Sequence, residues 1–221
     1  MKASVDTNVI IHLYKANLKT LLFERFEEIL VYSFIRDIEL QKHADVQVLN
    51  DFDTDVSNGK IKLIDNACLR QKRMYEIFEE HVYDNRLIYA PSDLGEVYAI
   101  ALARTLGAIS VVTDDIKKGG PHYLLLREKN SDIIPFAFYE LMMLDFLEEK
   151  TTPEIYVKSF NRVNRILNNP MNIEKKTKNF ILRFWGKNSE ERDKQWIKKF
   201  CEKSKIVPKQ KINELIKYIN K

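Results

Sequence analysis

Acidic residues recur along this chain at points where a short apolar run gives way to a helical pattern. Asp6 ends the run Ala3-Ser4-Val5, and Glu39 lies one turn into the helix that follows Ile29-Leu30-Val31-Tyr32. Glu96 opens the helix Gly95 to Ala103, and Asp114 and Asp115 end Ile109-Ser110-Val111-Val112-Thr113. Ligands of open α/β sheets bind outside the carboxyl ends of the strands. Right-handed βαβ winding sets such junctions along one edge of a parallel sheet. Carboxylates gathered there repel, and some stay protonated unless a cation neutralises them. Mg²⁺ or Mn²⁺ suits a site made only of Asp and Glu. The chemistry implied is hydrolysis of a phosphodiester with water as the nucleophile. No Ser, Cys or His arrangement at catalytic spacing competes with it.

The residues around these acids have roles in the same scheme. Thr7, Asn8 and Thr113 are placed to orient carboxylates by hydrogen bonds. Lys117 and Lys118, in the turn Lys117-Lys118-Gly119-Gly120-Pro121, bring two cations beside the last acids. They can meet a phosphate or remain solvated loop residues. His122 follows on the same rim, where a loop or packing role is preferred to a catalytic one. Each acid also has a plainer reading as a helix cap, because a carboxylate at a helix start satisfies free backbone N–H groups. Asp37 is the rival of Glu39, and Asp114 and Asp115 are both kept as ligands.

Elements that would position these groups follow in order. Residues 2–6 read as the first strand, with helices over about 8–15 and 18–28. Ile29–Tyr32 is the second strand, with Ser33 as N-cap of the Glu39 helix. A helix over 44–56 closes at Ser57-Asn58-Gly59, and residues 60–64 alternate with period two as a third strand. One long polar helix is expected over 66–81, with His81 at the surface. Ser92 or Asp93 caps the Glu96 helix, which Ala99, Ala101 and Ala103 keep slim and Gly107 ends. Ile133–Phe136 reads as an edge strand, since Pro135 cannot donate to a ladder. The apolar helix over 138–149 should pack on the sheet. Helices over about 153–167, 172–185, 189–204 and 209–220 complete the chain. Phe180, Phe184, Trp185, Trp196 and Phe200 are spaced as core residues of a small bundle.

Asp6-Thr7-Asn8 after a strand resembles the opening of PIN-domain nucleases, and Glu39-Leu40 resembles their second acid. Gly95-Glu96, Ala99-Ile100-Ala101, Ala103 and Gly107, followed by Val111-Val112-Thr113-Asp114-Asp115, is similar to the family's third and fourth motifs. The likeness covers residues 3–140, although many members carry Asp where this chain has Glu96. It implies a three-layer α/β/α fold with a mainly parallel central sheet, and a Mg²⁺- or Mn²⁺-dependent endoribonuclease of the VapC-like kind. Asp6, Glu39, Glu96, Asp114 and Asp115 would be its catalytic and metal-binding residues, with Glu39 preferred over Asp37 and the motif register favouring Asp115. It also implies a toxin held in check by a separate antitoxin protein. The haloacid-dehalogenase pattern needs a second acid two residues after the first, and Asn8 occupies that place.

Charge divides the chain. Residues 151–221 hold 18 Lys+Arg against 7 Asp+Glu, whereas residues 1–150 hold 18 against 25. The expected organisation is therefore an acidic PIN-like nuclease domain over 1–150 and a basic, all-helical extension over 151–221. Lys198, Lys199 and Lys203 of that extension are candidates for contacting an RNA backbone, which would make binding fall with salt. The extension could equally dock a partner or form a homodimer. Cys68 and Cys201 stand too far apart in sequence for a metal or disulfide pattern and read as reduced residues of a cytoplasmic protein. Asp6 interrupts the first apolar run before a secretory core can form, and no stretch approaches a membrane span. The competing functional class is a non-catalytic RNA-binding or scaffolding protein built on the same fold.

Overall fold

The computed structural model describes residues 1–88, 94–128 and 131–220. They divide into two compact units, Met1–Phe138 and Tyr139–Lys221.

The first unit runs β1 (Lys2–Val5), α1 (Thr7–Lys15), α2 (Thr20–Arg25) and β2 (Glu28–Tyr32). A π-helical turn (Ile35–Leu40) continues into α3 (Gln41–His43), then α4 (Val46–Ser57), β3 (Lys62–Ile64), α5 (Asn66–Gln71) and α6 (Tyr75–Ile88). After these come α7 (Leu94–Leu106), β4 (Ser110–Val112), α8 (Pro121–Arg127) and β5 (Ile134–Phe136). The five strands form one sheet in the order β3-β2-β1-β4-β5, and every pairing is parallel. Every residue of β4 and β5 is buried, as are all but the first of β1 and β2. Successive side chains point to opposite faces, so both faces of these strands are covered, as a parallel sheet requires. Pro135 sits in β5, an edge strand, as its missing N–H predicts.

Helix α7 packs across β1, β2 and β4 and against α6. Ala99, Ala101 and Ala103 are all buried, which lets its backbone come close to the sheet. Gly107 ends it in the left-handed region (φ 65°), where a Cβ would be strained. Val97, Ile100 and Leu102 join Leu30, Phe78 and Val111 in the core.

Several expectations are corrected. The helix expected to reach Glu28 stops at Arg25, because Glu28 already belongs to β2. Ser33 is itself helical, so it is not a cap, and the segment after it winds as a π-helix that no periodicity forecasts. The long helix over 66–81 is two, broken where Arg73 takes φ 58° without a glycine or proline to mark the place. The turn read at Lys117–Gly120 is present, and helix α8, for which no element was expected, follows it with Pro121 at its first position. Pro91, Ser92 and Asp93 lie outside the described residues.

His81 is half-buried rather than fully solvated. Its Nδ1 lies 3.0 Å from Thr105 Oγ1, whose own proton goes to the Ala101 carbonyl 2.8 Å away. Burial, and then the charge of Arg104, hold the His81 pKa below its ordinary value. The folded state therefore disfavours the protonated ring. Its contribution to stability is present above the unfolded-state pKa, about 6.5, and is lost as pH falls through the folded one. Urea unfolding between pH 7 and pH 5 should show that decline, and His81→Gln should flatten it. An unchanged slope in that variant would assign the pH dependence to other groups.

The second unit is helical: α9 (Phe138–Leu147, with Tyr139 as the unit's first residue), α10 (Pro153–Asn164), α11 (Ile173–Trp185), α12 (Glu191–Lys203) and α13 (Pro208–Ile219). Every residue of α9 is buried. Thr152 caps α10 through the Ile155 N–H at 3.3 Å, ahead of Pro153. Helix α11 packs on α12 and α13, and α10 on α13. Among the described residues no helix is long and apolar enough to cross a membrane.

Candidate active site

The strand order reverses at β1: the chain adds β2 and β3 on one side of it and β4 and β5 on the other. The crevice between the carboxyl ends of β1 and β4 is the topological switch point where parallel α/β sheets bind ligands. Asp6 and Thr113 lie on its two sides.

Asp6 follows Val5 and caps α1, its Oδ1 accepting the Thr7 N–H at 2.6 Å. Its own N–H extends the ladder to the Val112 carbonyl at 3.0 Å, and its side chain is fully buried. Thr113 Oγ1 donates to Asp6 Oδ2 at 3.3 Å and accepts the Asp115 N–H at 3.2 Å. One hydroxyl thus ties the first acid to the backbone of the last. The side chain of Thr7 is buried, while Asn8 is exposed on the first turn of α1.

The adjacent late acids take different surroundings. Asp114 Oδ1 accepts the Phe138 N–H at 2.9 Å, and its Oδ2 lies 2.8 Å from His12 Nδ1. Both oxygens are engaged in joining β4 to α1 and to the chain beyond β5. Asp115 faces the loop that follows it: Lys117 donates to it from its backbone at 3.3 Å and from its ammonium at 2.6 Å. Gly120 closes this loop because a Cβ there would lie 2.5 Å from Asp115 Oδ1. Lys118 is exposed, and His122 is buried with its N–H on the Asp115 carbonyl at 3.3 Å.

The other two acids arrive from β2 and α7. Glu39 lies within the π-helical turn, a conformation that is rare and often found at functional sites. Its Oε2 is 3.7 Å from His43 Nε2. Asp37 instead pairs with Arg36 at 3.2 Å, its side chain 55% exposed. Gly95 is the point of convergence. A Cβ on it would lie 2.8 Å from Thr7 Oγ1, 3.4 Å from Asp6 Oδ1 and 3.7 Å from Glu39 Cγ. Glu96, the next residue, is buried in the first turn of α7.

Asp6 and Glu39 therefore meet beside Gly95, and Asp6 and Asp115 are joined through Thr113. The acids converge in these pairs; among the described residues no three His, Cys, Asp or Glu side chains form a ready metal cluster. In donor chemistry the set is all oxygen, which fits Mg²⁺ or Mn²⁺. Gly95, Gly120 and His12 are the residues that sequence reasoning passed over as site-builders. A glycine directly ahead of a helix-opening acid was the available signal for Gly95; His12 had none.

In the second unit, Lys198, Lys199 and Lys203 are exposed along α12, with Lys198 4.0 Å from Glu202. Phe180 and Phe184 are buried as expected, and Trp196 stacks on Phe200 with centroids 5.4 Å apart. Trp185 keeps a partly exposed ring at a groove of about 600 Å³ shared with Lys194 and Lys205. Both cysteines are free thiols. Compared with protein-family models, with curated proteins and with solved structures, the chain finds no match in any of the three.

Proposed function

We propose that this chain is a divalent-metal-dependent endoribonuclease with a PIN-like catalytic unit. The carrying observation is the meeting of Asp6 and Glu39 beside Gly95, at the crevice that Thr113 bridges to Asp115. Asp6, Glu39, Glu96 and Asp115 would hold Mg²⁺ or Mn²⁺. Asp114, with both oxygens engaged by His12 and the Phe138 N–H, serves as an anchor. A bound divalent ion supplies Lewis acidity toward the phosphodiester and the attacking water. Water adds to phosphorus and the P–O bond to one ribose breaks, leaving an alcohol and a phosphomonoester. Thr113 keeps Asp6 turned toward Asp115, and the exposed Lys117 ammonium can exchange its ion pair with Asp115 for a scissile phosphate.

Incubating the full chain with mixed RNAs and DNAs, in Mn²⁺ or in chelator, and mapping the ends tests this reading. Internal cuts in RNA that need the ion are expected. A chain that binds RNA equally in both conditions and leaves it intact would be the binding or scaffolding protein instead.

Gly95→Ala probes the crevice directly. The added methyl must displace the buried Thr7 hydroxyl beside Asp6, and misplacement of that order costs roughly tenfold or more in rate. Alanine also favours a helix over glycine by up to about 1 kcal/mol, so thermal stability should hold. Undiminished cleavage by this variant would show that the space beside Gly95 is not part of the site.

A further inference from the structure

We infer that a pocket on the same sheet edge, lined by Tyr32, Tyr75, Phe78, Tyr83, Arg86 and Tyr98, takes one nucleobase of a single-stranded nucleic acid. The inference rests on the nuclease reading, since it names how the strand to be cut is held. The register that sets Ser4 against Leu30 brings Tyr32 level with Asp6 on the neighbouring strand. Tyr98 follows Glu96 by two residues on α7, and Phe34, whose ring lies 4.7 Å from that of Tyr98, starts the segment that carries Glu39. Pocket and acids thus share the end of β2, which neighbours β1, and the first turns of α7.

The chemistry of the lining suits a flat, polar-edged ring. Tyr32 packs against Phe78 and Tyr98 with centroids 4.7 and 4.9 Å apart, so the floor is rigid aromatic surface. Tyr83, at the mouth, leaves 66% of its area in water. The volume, about 380 Å³, admits one base rather than an extended ligand. Hydrogen-bonding groups stand at the edge: Asn66 Oδ1 accepts the Tyr32 hydroxyl at 2.6 Å, which leaves its amide N–H₂ directed elsewhere. The guanidinium of Arg86 is 3.4 Å from the Tyr98 hydroxyl, and that of Arg70 lies 3.6 Å over the Tyr75 ring. Arg86 and Glu79, which accepts the Tyr75 hydroxyl, are the charged residues of the lining, and Arg70 stands beside it. Aromatic faces with cations beside them are the means by which proteins hold single strands.

Binding of labelled oligouridylate, oligoadenylate, an abasic strand of equal length and an RNA duplex is measured by fluorescence anisotropy in chelator. The full-length Asp6→Asn chain is used, so that nothing is cut. Tyr83→Ala should weaken binding of at least one base-bearing strand about tenfold and leave the abasic strand and the duplex unchanged. Tyr83→Phe, which keeps the ring, should bind normally. Loss of the cation in Tyr83→Ala/Arg86→Ala should weaken the single strand further. Equal binding by the parent chain and the double variant, equal losses on the abasic strand, or no single-strand binding at all would each overturn the pocket. Cleavage abolished by Asp6→Asn, together with single-strand binding that Tyr83→Ala leaves unchanged, removes the pocket but keeps the nuclease. Ring-dependent binding of strands the parent never cuts keeps the pocket and removes the nuclease.

Discussion

Asparagine in place of Asp6 is expected to lower metal-dependent RNA cleavage at least about a hundredfold, with the fold unchanged. The argument separates the two tasks of this side chain. As a helix cap it accepts the Thr7 N–H through Oδ1, and asparagine caps as well as aspartate does. Its other oxygen meets the Thr113 hydroxyl, which can turn to accept from an amide instead. Stability should therefore move by less than about 1 kcal/mol. What asparagine cannot supply is the negative charge shared with Glu39 and Asp115. Cleavage of end-labelled RNA in Mn²⁺, beside a thermal melt, reads both quantities. Cleavage at the parental rate would remove Asp6 from the site, and a collapsed melt would recast it as a purely structural acid.

The largest effect on stability should come from Arg183→Met. Arg183 is buried between two acids: Nη1 donates to Glu140 at 2.9 Å and Nε to Asp193 at 2.8 Å. Burial alone would lower its pKa, but the charges of Glu140 and Asp193 outweigh that and hold it above its ordinary value. Methionine fills the space yet leaves two buried carboxylates without their main counter-charge. Breaking such a group from one side costs about 3–5 kcal/mol. Arg192, 3.3 Å from Asp193, keeps part of the compensation. Both tryptophans, Trp185 and Trp196, lie in this unit, so their fluorescence in urea follows its unfolding. A loss below about 1 kcal/mol would mean that water or rearrangement solvates the acids. Apolar replacement of all three residues should recover most of the loss, because the desolvation penalty disappears with the charges.

Much of the first unit was legible because its signals are local. The apolar runs at Ile29–Tyr32 and Ile109–Val112, the small residues of α7 and Gly107 each act within a few residues of themselves. Pro135 announced an edge strand by the donor it lacks. The misreadings have causes that no local pattern shows. Arg73 breaks a helix in a conformation that its side chain does not advertise, and the π-helical winding around Glu39 depends on what that turn packs against. His81 looked polar enough for solvent, yet Thr105 on the adjoining helix gave it a partner.

From its sequence alone the chain determined that acids stand at strand ends and helix starts, and that short apolar strands alternate with helices. Those are properties of neighbours along the polymer, set by periodicity and by the cost of exposing or burying side chains. Tertiary structure decided which acids lie near one another. Asp114 and Asp115 are adjacent in sequence, but opposite sides of the chain send one to His12 and the other to Lys117. Asp6 finds Thr113 because the chain crosses from β3 to the far side of β1 before laying down β4. The same long-range packing brings Gly95 against Thr7 and Arg183 between Glu140 and Asp193. Such contacts depend on strand order and helix packing between segments tens of residues apart, which no local pattern encodes.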